Sequence, residues 1–240
     1  MNHLVGKAVD TAKRLVELAG GVSGAEIVIC PTFTALQAVA EAVKGSSIQV
    51  GAQNCYVKES GAYTGEISPQ MLLDVGCSWT IIGHSERRQY FKESDEFLNE
   101  KVGFARAAGL KVMFCVGETL EERNGGQMNE VLTRQVSKGL EGLGAAEFEG
   151  LSIAYEPVWA IGTGVTATPE QAQDAHAFVR GLVRRLFGGT VADSVRIQYG
   201  GSVKPDNARE LMDQPDVDGS LVGGASLAAD SFAAIVHASV

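Results

Sequence analysis

Short runs of apolar, β-prone residues recur along this chain, each separated from the next by a stretch with helical periodicity. The runs fall at residues 26–29, 48–51, 79–82, 111–115, 152–155, 195–199 and 217–222. Apolar runs this continuous suit parallel strands covered on both faces. Leu4, Ala8, Thr11, Leu15 and Leu18 share one face of a first helix, and Phe33-Thr34-Ala35-Leu36 opens a second that ends at Gly45. Pro169 opens a long helix reaching Leu186 before Gly188-Gly189, and Pro205 opens the next. The spacing predicts seven strands and eight helices in a single domain over residues 1–240, with no linker or low-complexity segment between them. Such unbroken alternation argues for a parallel sheet closed into a barrel. An open doubly wound sheet fits less well, because the candidate functional residues end many strands and do not gather at one crevice. Eight helices demand eight strands in a complete barrel. The chain opens directly into a helix at Asn2 or His3, so the expectation is a (β/α)8-type barrel lacking its first β-strand.

Composition narrows the class. A chain of 240 residues with 45% hydrophobic and 20% charged residues can bury a sizeable core and is far from disorder. The net charge of −9, with no run of Lys or Arg, excludes a nucleic-acid partner. An anionic substrate must therefore be held by local geometry. Cys30, Cys55, Cys77 and Cys115 are scattered without a C-x-x-C pair, and the four histidines do not cluster with them. Buried free thiols are expected, with no metal site. No apolar stretch approaches the ~20 residues of a membrane span, and no signal-peptide core opens the chain. The reading is a cytoplasmic protein with no membrane partner.

Two strand ends carry the chemistry. The run Ala154-Tyr155 delivers Glu156, followed by Pro157-Val158-Trp159-Ala160-Ile161-Gly162-Thr163-Gly164. A carboxylate at that edge can take a proton from a carbon beside a carbonyl and return it to the neighbouring carbon. Pro157 fixes φ, while Gly162 and Gly164 permit the dihedral changes of a closing loop. The run Trp79-Thr80-Ile81-Ile82 delivers Gly83-His84-Ser85-Glu86-Arg87-Arg88. A neutral His84 can donate to a carbonyl becoming an enediolate, and Ser85-Glu86 can cap the short helix that follows. The plainer alternatives are a surface glutamate and a structural histidine. Tyr199-Gly200-Gly201-Ser202 and Gly223-Gly224-Ala225-Ser226 follow the last two strands. There, bare backbone N–H groups can approach phosphate oxygens. Gly162-Thr163-Gly164-Val165-Thr166-Ala167 also fits a dinucleotide fingerprint, but it does not directly follow its strand and no acidic residue ends a strand some twenty positions on.

These motifs, together with Gly51-Ala52-Gln53-Asn54 and Gly61-Ala62-Tyr63-Thr64-Gly65-Glu66, resemble those of the triosephosphate isomerase family. The resemblance implies a TIM barrel with Glu156 as catalytic base and His84 as electrophile. It implies Gly162, Ser202, Gly223 and Gly224 as phosphate-binding residues, with Glu86 and Cys115 in support. The substrates would be glyceraldehyde 3-phosphate and dihydroxyacetone phosphate, with no cofactor. The family's first strand ends Asn-Trp-Lys-Met-Asn or nearly so, and this chain opens Met1-Asn2. The resemblance thus implies loss of the catalytic lysine, activity strongly reduced or absent, and a homo-oligomer whose interface need not be the family's. Two other readings stay open: a non-catalytic barrel binding phosphate or a partner, and another barrel enzyme acting on a phosphorylated sugar.

Overall fold

The computed structural model describes residues 1–161 and 166–240. Its centre is a curled, all-parallel sheet of seven strands in chain order: β1 (Val28–Ile29), β2 (Gln49–Ala52), β3 (Trp79–Ile82), β4 (Lys111–Val116), β5 (Leu151–Tyr155), β6 (Arg196–Tyr199) and β7 (Gly219–Ser220). Each strand pairs with the next, so β1 and β7 form the two edges. All seven candidate runs become strands. Within them the pleat sorts side chains between two cores. Trp79, Ile81, Met113, Cys115 and Ala154 turn inward, while Ile82, Phe114, Val116, Ile153 and Tyr155 pack outward beneath the helices. The inner space is tight at Gly51, where a Cβ would meet Cys30 Sγ at 2.8 Å and Trp79 Cβ at 3.1 Å.

Helices surround the sheet: α1 (Val5–Ala19), α2 (Leu36–Val43), α3 (Pro69–Asp74), α4 (Ser85–Tyr90), α5 (Asp95–Ala108), α6 (Leu120–Asn124), α7 (Met128–Gly139), α8 (Pro169–Phe187), α9 (Gly189–Ser194), α10 (Ala208–Met212) and α11 (Ala229–Ala238). Eleven α-helices among the described residues replace the expected eight, because the short α4, α6 and α9 flank the longer α5, α7 and α8. Local chemistry sets their ends. Thr168 and Gln171 form a reciprocal capping box that starts α8 with Pro169 in its first turn, and Gly109 at φ 100° stops α5.

Several boundaries differ from expectation. The first helix begins at Val5, and its buried face is Ala8, Ala12, Leu15 and Ala19; Leu4 is exposed. Helix α10 begins at Ala208, since Asn207 folds back to accept from the Lys204 N–H at 2.7 Å and holds Lys204–Asn207 in a turn. Among the described residues no helix is long and apolar enough to cross a membrane.

Parallel strands place all their C-terminal ends at one end of the sheet. There the ladder continues past the strands proper: Glu156 N–H donates to Val116 O at 2.7 Å, Gly200 N–H to Tyr155 O at 2.7 Å, and Leu221 N–H to Tyr199 O at 2.9 Å. At the opposite end, Glu26 ties three strands together. It accepts from Arg196 at 2.6 Å, from Lys111 at 3.0 Å and from Gln49 at 2.6 Å. Burial opposes its ionisation, but those donors together outweigh it and hold the carboxyl at about 2, below its ordinary 4.5. A depressed carboxyl stabilises the fold above its unfolded value and loses that contribution as pH falls toward the folded value. Glu26→Gln should therefore lower the urea midpoint at about pH 7, and the gap to the unaltered chain should narrow as pH falls below about 4.5.

Candidate active site

Glu156 follows β5 directly, and its side chain is only 2% exposed. A buried carboxylate needs donors, and it has several. The Ser85 N–H reaches Oε2 at 2.9 Å and the Ser85 hydroxyl reaches Oε1 at 3.0 Å. His84 Nε2 lies 3.1 Å from the same Oε1, and the Cys115 thiol also donates to the carboxylate. Burial pushes the Glu156 carboxyl above its ordinary range against the combined pull of His84, Ser85 and Cys115. The balance leaves a carboxylate more basic than a free one, as proton abstraction requires. Cys115 stays a thiol: burial first, and then the Glu156 charge, raise it well above its ordinary range.

His84 is the N-cap of α4. Its Nδ1 accepts from the Glu86 N–H at 3.3 Å. A nitrogen that accepts from a backbone amide carries no proton, so the neutral ring bears its hydrogen on Nε2, the nitrogen facing Glu156. The expected cap is therefore corrected. The histidine side chain caps the helix, while Ser85 is its first residue and spends its hydroxyl on Glu156. Glu86 acts on His84 through its main chain, and its exposed carboxylate lies 3.9 Å from Nδ1.

Both residues line a cavity of about 1690 Å³ that also receives Ser202, Gly223 and Gly224, with Gly200 and Gly201. Ser202 is fixed by Asn207, which donates to its carbonyl at 3.0 Å, and Gly223 O accepts the Ser226 N–H and hydroxyl at 2.9 and 2.7 Å. The structure thus gathers Glu156, His84, Ser202, Gly223 and Gly224 around one space, with Cys115 behind Glu156. Gly162 and Gly164 lie outside the described residues. Arg87, Lys204 and Arg196 are the lysines and arginines among the described lining residues. Arg87 is bound to Glu93 at 2.8 Å, and Arg196 sits at the far end on Glu26. Among the described residues no cluster of His, Cys, Asp and Glu could hold a metal.

Several contributors were not legible as site residues. Gly117 admits no side chain, because a Cβ there would lie 1.7 Å from Glu156 O. Gln135 holds it from α7, accepting its N–H at 2.7 Å and donating to its carbonyl at 3.1 Å. Gly200 is constrained alike, with Glu156 Cγ 2.9 Å from its would-be Cβ. Fully buried Glu118 anchors the segment after Glu156. Its Oε1 accepts from Tyr155 at 3.0 Å, Trp159 at 2.9 Å and Arg123 at 3.2 Å, and its carbonyl accepts the Val158 N–H at 3.1 Å. The sequence signal was faint: a glycine and an acid directly after a strand.

A model of the triosephosphate isomerase family matches residues 1–239. This chain belongs to that family. Relatives include the triosephosphate isomerase of Geobacter metallireducens, 57% identical over 96% of this chain and 92% of its own length. That of Carboxydothermus hydrogenoformans is 54% identical over 98% and 93%. That of Chloroflexus aurantiacus is 52% identical over 99% and 95%. The family and its TIM-type fold accord with the resemblance read from the motifs.

Two outcomes follow from this geometry. Ser85→Ala removes a donor to the ionised form, so the Glu156 titration, followed by carbon NMR of labelled glutamate, should move to higher pH. Glu118→Ala leaves the buried Tyr155 hydroxyl without its acceptor and should cost about 1–3 kcal/mol in urea unfolding.

Proposed function

We propose that this chain interconverts glyceraldehyde 3-phosphate and dihydroxyacetone phosphate by proton transfer through an enediolate. The observation that carries this reading is the 3.1 Å approach of His84 Nε2 to the Glu156 carboxylate inside a cavity that Ser202, Gly223 and Gly224 also line. Glu156 takes the proton from the carbon beside the carbonyl and returns it to its neighbour. His84 donates from Nε2 to the carbonyl oxygen as charge builds there. Glu156 must leave Ser85 to do so, since both its oxygens are engaged by Ser85. Gly162, Ser202, Gly223 and Gly224 are the residues assigned to the phosphate. The isomerisation is redox-neutral, so no cofactor is assigned. Four free cysteines support placement in the reducing cytoplasm.

We further read the sheet as an eight-stranded barrel short of one strand between β7 and β1. The cavity supports this, since it extends from Glu156 past both edge strands to Ala8, Ala12 and Leu15 of α1. With Arg87 committed to Glu93 and Arg196 at the far end on Glu26, the described lining residues leave Lys204, beside Ser202, as the cation for the phosphate and no second one for the reacting carbonyl. Turnover by the 240-residue chain should then fall about 10²–10³-fold below that of the Geobacter relative, as for loss of one preorganised donor. Exposed Tyr90 and Phe91, at 68% and 65%, support self-association, which light scattering measures.

The test is deuterium exchange into substrate in heavy water, followed by NMR, which registers weak catalysis. Glu156→Gln should slow exchange about 10²–10⁴-fold relative to the unaltered chain. Exchange indifferent to that change would overturn the assignment of Glu156. Turnover equal to the relative's would overturn the reading of a barrel short of one strand.

A further inference from the structure

Strands β3 and β4 part where the chemistry begins. Their register runs as far as Ile82 opposite Phe114. The Lys111 N–H donates to Ser78 O at 2.8 Å, so strand alternation turns the Cys115 carbonyl toward β3 as well. The ladder's next donor to that carbonyl would be the His84 N–H. Gly83, at φ 81°, instead turns the chain so that His84 caps α4. Arg88 of α4 reaches back across the gap. Its Nη2 donates to Cys115 O at 3.0 Å, its Nε to Gly83 O at 2.9 Å, and its Nη1 to Asp95 Oδ1 at 2.6 Å. The fit is close, since a Cβ on Gly83 would lie 3.0 Å from Cys115 O and 3.2 Å from Arg88 Nη2.

We propose that Arg88 is a positioning residue for the isomerisation: its guanidinium fixes the exit of β3 against that of β4 and so sets the approach of His84 to Glu156. The inference rests on the function proposed above. Arg88 stands behind the recess, whereas its neighbour Arg87 lines it. The two carbonyls it grips each belong to a donor on Glu156. Gly83 is bonded directly to His84, and Cys115 carries the thiol that donates to the carboxylate. A shift of either main chain therefore moves a group that holds or assists the base. Only a planar fork serves all three acceptors at once; a lysine is a point charge on a flexible stem. The fork is itself held from outside. Asp95, the first residue of α5, is 3% exposed, and its other oxygen accepts from Arg134 of α7. The Phe114 ring centroid lies 5.9 Å from the guanidinium carbon.

The test is Arg88→Lys, which keeps a cation beside Asp95 but cannot span both carbonyls. Deuterium exchange into substrate should fall about tenfold or more at saturation relative to the unaltered chain, with the half-saturating concentration within about threefold. In carbon NMR of labelled glutamate, the Glu156 titration should move to higher pH as donors to its ionised form withdraw. A merely structural arginine would lower the urea midpoint and leave both readouts of the folded protein in place. A titration that does not move, or a saturated rate that does not fall, overturns the proposal. Should Arg88→Lys fail to fold, Asp95→Asn, which keeps the shape and removes the charge that anchors the fork, decides by the same readouts. The titration needs no turnover, so it decides this inference even without measurable exchange. Exchange indifferent to Glu156→Gln defeats the assignment of the base, whereas exchange sensitive to Glu156→Gln but not to Arg88→Lys defeats this inference alone.

Discussion

The site depends on keeping one carboxylate buried and ionisable. Glu156 is removed from water, yet a donor pair from a single residue, a ring nitrogen and a thiol surround it. Desolvation alone would protonate it, and strong pairing alone would make it inert. The intermediate balance makes it useful as a base. The Ser85 contacts also set a resting position, because a carboxylate held at both oxygens by one serine is parked and must be released to react.

Close packing supports that balance. Three glycines around Glu156 have no room for a side chain: Gly117 against its carbonyl, Gly200 against its Cγ, and Gly201 against Tyr199 and Pro157. The main chains of neighbouring strand ends therefore approach more closely than side chains would permit, and backbone amides form the rim of the recess. Gln135 completes the arrangement. Its side-chain amide pairs with both main-chain groups of Gly117 as an adjacent strand would, holding β4 where its own pairing runs out.

Much of this was legible from residue order. Strand positions were readable because a strand buried on both faces is apolar throughout, and runs this short and rich in β-branched residues favour a strand over a buried helix. Glu156 and His84 stood out because a charged or titratable residue directly after such a run has to sit at a sheet end. Helix starts were less clear. Pro205 resembles a first-turn proline, but whether Asn207 folds back on Lys204 is decided by local turn geometry that no periodicity records. The face of α1 was misread for a related reason: Ala12 and Ala19 are buried on a helix that packs against α2 and α11, so alanine buries where a larger leucine was expected. Ser85 and Glu118 act across tens of residues of sequence, on Glu156 and on Trp159. Only the folded register brings such partners together.

Glu26 gives the molecule an asymmetry. By gathering Arg196, Lys111 and Gln49 at one end of the sheet, it fastens the feet of strands on both sides of the cavity. Among the described residues the opposite end, where Glu156 and the glycine loops lie, has no such tie between β1 and β7. The charged foot thus sets the stagger of β2, β4 and β6 from the end remote from the chemistry, leaving the other rim to be shaped by glycine contacts and the Ser85 donors.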